Sequence, residues 1–577
     1  MAGVVNPTGT NAASALCDVA AADRLWQLLP RNDPIAAQEA VSGALGGLFA
    51  RGDPGVGQLE AVLALDQRAQ ALVDALLVSH SAGGGQPPAL EKAYWQSAFQ
   101  LCWSFGEVYG QFLGSVRNRS HYRRWRGYIP TVVLRMFQHR QIELLLRPFV
   151  DEQSTRFSWK ELHETYQYAH SQGLLHQALP VSRRRANGNA ESTLEREYIH
   201  LVVQDLINGG QFPPHDAFWA CQGIPRWCEA LTLVAAPIAA AGEGFVVDLD
   251  RDAGPARSSP QPTGSCLFLD TAPAQASIRD EIAALRDTAD PTPDIASMSR
   301  GRRLKLLGRI SDLCAPKRPF IARRGERTSV AIAVEIVFGF AQIVGAMRRT
   351  PPSETAARPQ AAPQFQETTV TAFGGFTEFR ARGVLGDGNT VSPGSAGILD
   401  AGYPLWKLVD RSESGCRMQG QVFDSNWVTP GALVAFRKDA TAPWTLAVVR
   451  RFQKLPGNRA DIGVEYIGKN PRGVKVTVTP AGEGARGAAP GDEPQRFAAI
   501  YLPESTKRPL MPIKTLVLPV GKFAPDDRLT LRSVTAFYTI QLKEPIEEQG
   551  EFLWLPFEIT SRRPRWDPAL AAASPAA

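Results

Sequence analysis

The run Arg323-Arg324-Gly325-Glu326-Arg327-Thr328-Ser329-Val330-Ala331-Ile332-Ala333-Val334-Glu335-Ile336-Val337 divides the chain into two kinds of sequence. From Thr328 to Val337 small and β-branched residues alternate with period two, the pattern of a strand with one buried face. Before it, apolar residues recur at helical spacing; after it, they come in strand-length pieces separated by turn signals. The expected fold class is therefore α+β and multidomain, with an irregular all-α region, then a β-barrel carrying an insertion, then a further small β module. Val330 to Met347 is almost wholly apolar. A carboxylate near its centre, Glu335, would be costly in lipid, so a buried strand running into a short helix is expected there rather than a membrane span.

Composition sets the outer bounds. A chain of 577 residues is too long for one ordinary core. Its hydrophobic fraction of 44% and charged fraction of 21% are those of a globular protein. A net charge of +6 over this length permits anionic ligands but gives no argument for nucleic acid. Heavy use of Ala, Arg, Gly and Pro points to a GC-rich bacterial genome. The seven cysteines are scattered, without a CxxC pair, which argues against a zinc site or disulfide framework and for a reducing, cytoplasmic compartment. No basic n-region followed by an apolar core marks a secretory signal.

Residues 1–315 read mainly as helices, over Leu59–Val78, Tyr94–Val116, Glu195–Ile207, Ala217–Val234, Ala276–Arg286 and Ser297–Leu313. Ser158 is expected as an N-cap, with Glu161 completing a capping box. Two short strands, Gly244–Leu249 and Ser265–Asp270, are expected as a β-hairpin near 244–270. A barrel is expected over 316–480, interrupted by a linker and insert at 341–400 in which Thr368–Phe373 is a further strand. A C-terminal β module is expected over 495–562 and a disordered tail over 563–577. All eight histidines fall between His80 and His215. Any chemistry in the β half must do without imidazole, which argues against a hydrolase there.

Two motifs carry functional meaning: the RxxxR of Arg323 to Arg327, and the DxSxxG of Asp410-Arg411-Ser412-Glu413-Ser414-Gly415. Guanidinium groups bind phosphate bidentately, read the O6/N7 edge of guanine and stack on purine faces. A carboxylate accepts from the N1–H and N2–H2 edge of guanine, a hydroxyl both donates and accepts, and a glycine permits a tight turn or a close approach. RxxxR alone is a cheap pattern, since Arg119 to Arg123 matches it too. The strand that follows Arg327 gives it context, as do the downstream segments Cys416–Met418, Gly431–Phe436, Trp444–Arg451 and Asp461–Gly468.

In that order these segments resemble the PilZ-domain family, bacterial receptors for cyclic di-GMP. The resemblance covers about 320–340 and 400–480. It implies a PilZ-like β-barrel and a non-enzymatic receptor whose ligand is cyclic di-GMP, with no cofactor and no metal. It places Arg323, Arg324 and Arg327 on the phosphates and guanine faces, and Asp410, Ser412 and Gly415 around one guanine. The chain departs from the family in the length of the segment between Arg327 and Asp410 and in Arg411, where an apolar residue is usual. Arg411 either alters strand packing or adds a phosphate contact. Binding would change contacts between domains or with a protein partner, through the helical region or the C-terminal β module. The alternative is a ligand-independent helical adaptor with a degenerate barrel.

Other clusters have plainer readings. Arg117 to Tyr128 interleaves arginines with aromatics, as single-stranded nucleic-acid sites do, but a solvated basic helix with core aromatics accounts for it. Arg183-Arg184-Arg185 reads as a loop cluster. Asp248, Asp250 and Asp252 lack the glycine and terminal Glu of a calcium loop and read as a turn.

Overall fold

The structure is a computed structural model. It describes residues 16–48, 55–78, 88–117, 125–150, 157–181, 190–208, 212–236, 244–257, 264–287, 298–317, 326–349, 403–422, 428–478, 496–505, 512–532 and 536–564. The chain divides into two compact units, Met1–Ala322 and Arg323–Ala577.

The first unit is helical. Its helices are α1 (Val19–Leu28), α2 (Pro34–Gly46), α3 (Val56–Val78), α4 (Pro88–Arg117), α5 (Ile129–Leu146), α6 (Trp159–Ser171), α7 (Leu194–Asn208), α8 (Pro214–Trp227), α9 (Ala272–Asp287) and α10 (Arg300–Cys314). The apolar face read along Tyr94–Val116 is buried through Trp95, Phe99, Phe105, Tyr109 and Phe112. Where α3, α4 and α5 meet, the core is polar. Asp66 accepts from Tyr109 Oη at 2.8 Å and lies 2.9 Å from His139 Nε2. Nearby, Arg140 donates to Glu143 at 2.7 Å and to Glu161 at 3.0 Å.

One expectation in this unit is met and one is corrected. Ser158 caps α6, its Oγ accepting from the Glu161 backbone N–H. The Glu161 carboxylate accepts from Arg140. The helix read over Ala217–Val234 ends at Trp227 as α8, and Leu233–Val234 is a strand. Strands β1 (Leu179–Pro180) and β2 (Glu191–Ser192) form a minimal pair. The short strands β3 (Leu233–Val234), β4 (Phe245–Asp248), β5 (Ala256–Arg257) and β6 (Cys266–Leu269) form a sheet in the order β3-β6-β4-β5. The hairpin expected near 244–270 is its β4–β6 pair. The three aspartates read as a turn act as one: Asp248 accepts from the Asp250 N–H, Asp250 from Ser265, and Asp252 from the Lys160 N–H of α6. Arg183 to Arg185, and most of Arg117 to Tyr128, lie outside the described residues.

The second unit is built on strands β7 (Thr328–Phe338), β8 (Leu405–Arg411), β9 (Gly415–Gln421), β10 (Leu433–Arg437), β11 (Thr445–Leu455), β12 (Arg459–Lys469), β13 (Arg472–Val478), β14 (Arg496–Leu502), β15 (Thr515–Pro519), β16 (Arg528–Arg532), β17 (Ala536–Leu542), β18 (Glu547–Glu548) and β19 (Phe552–Pro564), with, among the described residues, one helix, α11 (Phe340–Arg349). β7 to β12 close a barrel in the order β10-β11-β12-β9-β8-β7. The alternation read in the opening stretch sends Val334 and Ile336 inward, where they join Trp406, Met418, Phe436, Val449 and Ile462.

Glu335, the group that argued against a membrane span, accepts from Arg437 Nε at 2.6 Å. Among the described residues no helix is long and apolar enough to cross a membrane. Gly339, at φ +81, turns the chain from β7 into α11. The Glu551 carboxylate accepts from the Phe340 N–H at the helix start and from Leu433 at the start of β10. Burial pushes the Glu551 carboxyl upward.

The C-terminal strands form a sheet in the order β15-β14-β13-β16-β17-β19-β18, and an extra pairing joins β15 to β19. Six strands thus close a second ring, with β18 extending the edge along which β17 pairs with β19. Its interior holds Val474, Val476, Leu516, Leu529, Tyr538, Ile540 and Leu555. A third cluster lies between the barrels, where Ile343 and Val344 of α11 pack with Leu433, Ala435, Trp444, Ile467, Leu502, Val517 and Trp554.

Three expected boundaries shift accordingly. The insert does not begin at 341, because α11 occupies 340–349 and fills the core between the barrels. β13, counted with the first barrel when that barrel was read to 480, pairs with β14 and β16 of the second. β19 runs to Pro564, past the expected start of the tail. The expected strand Thr368–Phe373 lies outside the described residues, as does the rest of 350–402.

Candidate functional site

Arg327, the last residue of the first motif, and Asp410, the first of the second, stand together at one mouth of the first barrel. β7 and β8 are antiparallel, so the start of β7 lies beside the end of β8: Thr328 pairs with Arg411 and Ser329 with Asp410. The register slips between Ser329 and Ile332 on β7, and again at Val409 on the β8–β9 side. Bulges of this kind cluster at barrel rims and re-aim side chains there. Here they fall directly before Asp410.

Arg327, the last residue before β7, places Nη1 3.6 Å from Asp410 Oδ1. Its side chain is 70% exposed while that of Asp410 is 17% exposed. A largely solvated guanidinium therefore stands over a half-buried carboxylate. Arg323 and Arg324 lie outside the described residues.

Ser412 and Gly415 build the turn between β8 and β9. The Ser412 N–H donates to the Gly415 carbonyl at 2.8 Å, and Ser412 Oγ lies 3.2 Å from the same oxygen. Gly415 pairs with Glu465 on β12. A Cβ at 415 would collide with the Val464 carbonyl oxygen, so the close approach that requires glycine is to the chain's own backbone. The Tyr466 N–H donates to the Ser414 carbonyl at 2.9 Å, holding the turn against β12.

Several groups around the mouth had no role in the sequence reading. Arg417, the cross-strand neighbour of Asp410, donates from Nε to Asp461 at 2.9 Å, and Gln419 adds a bond of 2.7 Å to the same carboxylate. Burial works against the Asp461 charge, but the bonds from Arg417 and Gln419 outweigh it and hold its carboxyl below the usual range. Beneath them, burial pushes the Cys416 thiol up to about 12 and raises the Tyr466 phenol as well. Both stay protonated at neutral pH. Arg450 donates to Glu465 at 2.8 Å and to Glu547 of β18 at 2.6 Å, tying the strand opposite Gly415 to the second barrel.

The sequence signal for these partners was alternation alone. Arg417 and Asp461 occupy outward positions on neighbouring strands, and their pairing follows only once the register of β9 and β12 is known. Chemically, the mouth offers an exposed cation, a half-buried acceptor and a hydroxyl-bearing turn on a rigid rim. Among the described residues no group of three or more His, Cys, Asp or Glu side chains is placed to hold a metal ion.

Comparison with known proteins bears on the other half of the chain. Residues 20–237 match a family model described as cyclic-di-GMP receptor FimW, N-terminal domain. The helical unit is what is similar. The matched region runs from α1 to β3, fewer than half of the residues, and ends before either barrel. No curated protein matches the chain.

Proposed function

We propose that the chain is a cyclic di-GMP receptor of the PilZ type. One observation carries the reading: Arg327 and Asp410, from motifs far apart in sequence, stand together at the mouth of a closed six-stranded barrel. Similarity of the helical unit to the N-terminal domain of a family named for that ligand supports it independently, because it arises from different residues.

Arg327, with Arg323 and Arg324 ahead of it, binds the phosphates and stacks on or reads guanine. Asp410 accepts from the N1–H and N2–H2 edge of one guanine. Ser412 offers its hydroxyl beside it, and Gly415 holds the turn that presents both. Arg411 lies on the same rim and is suited to a phosphate contact. The protein acts by binding, not by catalysis, in the bacterial cytoplasm. Occupancy changes contacts between domains or with a protein partner.

Calorimetry on the full chain tests this. Heat of binding with cyclic di-GMP in the micromolar range is expected, and its absence at ligand concentrations far above that range would overturn the reading.

A further inference from the structure

Numbered in chain order, the six strands of the first barrel close in the order 1-4-5-6-3-2. The ring β13, β14, β15, β16, β17, β19 closes in the same order, with every neighbouring pair antiparallel. The second unit thus contains one strand circuit twice. In the first copy, the motif mouth is built by the residues leading into strand 1 and by the link between strands 2 and 3. The matching mouth of the second copy is built by Lys469-Asn470-Pro471, which lead into β13, and by the ends of the β14–β15 link.

A cavity of about 200 Å³ opens at that mouth, and its lining includes Lys469, Asn470, Glu504, Ser505, Ile513 and Thr515. We propose that it is a second ligand site, for the base of a guanine nucleotide. The size selects the class: sites for drug-sized ligands start at roughly 300 Å³, so this cavity suits a single base and not a whole dinucleotide.

The lining selects the base. The Glu504 carboxylate is an acceptor pair, and guanine presents two adjacent donors, N1–H and N2–H2, on one edge. The Lys469 ammonium complements a carbonyl oxygen or a phosphate, and Ser505 adds a hydroxyl. Ile513, an exposed apolar side chain at 45%, provides a face for a planar ring. Thr515 is held in place by the Trp554 indole N–H, which donates to its Oγ1 at 2.9 Å. The proposal rests on the repeated circuit and the cavity, so it stands or falls separately from the reading of the first barrel.

The test uses the full chain with 5′-GMP and 5′-AMP as probes, followed by ligand-observed NMR and by hydrogen exchange over 467–470 and 500–505. GMP is expected to protect those backbone amides, and AMP to bind more weakly. Glu504→Gln, an exposed substitution, should weaken GMP binding about tenfold, the effect of losing a charged hydrogen bond. Arg327→Ala should leave the GMP signal in place. No protection by GMP in the millimolar range would overturn the proposal, as would an unchanged affinity in Glu504→Gln. Loss of the signal in Arg327→Ala would assign it to the first barrel instead and would equally overturn the second site. Failure of cyclic di-GMP to bind, with GMP protection intact, would overturn only the reading of the first barrel.

Discussion

Arg327 Nη1 lies 3.6 Å from Asp410 Oδ1, although the whole of 350–402 separates them in the chain. The antiparallel pairing of β7 with β8 brings them together, and the adjacent bulges aim Asp410 at the rim. An ion pair this exposed contributes about 0–1 kcal/mol to stability. Arg327→Ala should therefore leave the thermal midpoint nearly unchanged while weakening cyclic di-GMP binding more than tenfold. Asp410→Ala should weaken it to a similar degree. Calorimetry and a thermal melt on the same preparation check both halves.

Gly415→Ala separates a role in folding from one in ligand contact. The added methyl meets the Val464 carbonyl oxygen of β12, and backbone cannot rotate away as a side chain would. A loss of roughly 1–3 kcal/mol, the usual range for overpacking, is expected from denaturant unfolding. An unchanged midpoint would mean that β9 and β12 do not approach as closely as described.

Arg450 joins Glu465 in the first barrel to Glu547 in the second. Burial works against its charge, and the two carboxylates more than offset this, raising its pKa. Arg450→Met keeps much of the aliphatic stem but removes the charged hydrogen bonds that Arg450 makes to both acids. Hydrogen bonds to charged groups contribute about 1.5–3 kcal/mol each, so a loss on the order of 2 kcal/mol is expected. It should appear as faster hydrogen exchange in β12 and β18 together.

Asp205 on α7 supplies a pH-dependent test in the helical unit. Burial pushes its carboxyl up to about 6, with Arg147 opposing. The sign follows from the proton balance. Between the unfolded value near 4 and the folded value near 6, the folded chain holds more protons, so stability falls as pH rises through that window. Asp205→Asn should be more stable than the parent at pH 7.5, on the order of 2 kcal/mol. That advantage should shrink as pH falls from 6 toward 4, and urea titrations at several pH values measure it.

Much of the second unit was legible because its strands either alternate, as Ala536–Leu542 does, or run apolar over a strand's length between turn signals, as Thr515–Pro519 does. β13 escaped because Arg472-Gly473-Val474-Lys475-Val476 follows β12 after only two residues and reads as its continuation. α11 is the short helix expected after the strand in Val330–Met347; its Ile343, Val344 and Ala346 are buried between the barrels while Gln342 and Arg348 are exposed. At the site, the motif spacing placed Asp410 and Arg327 in one frame, yet the work done by Ser412 and Gly415 within the turn depends on β12. Such contacts are set by register, and register is a property of the folded sheet.

The shared core has a practical meaning for how this half of the molecule is handled. Only Asn470 and Pro471 separate β12 from β13, a connection too short and too stiff to serve as a hinge. Ile343, Leu433, Trp444, Ile467, Leu502 and Trp554 belong to one cluster contributed by both barrels and α11. Truncation at residue 470 would strip an apolar wall from each product, so neither barrel is expected to be expressed as a soluble fragment by itself. The smallest piece worth purifying therefore begins no later than Arg323, so that it keeps the whole arginine motif, and runs through the end of β19 at Pro564.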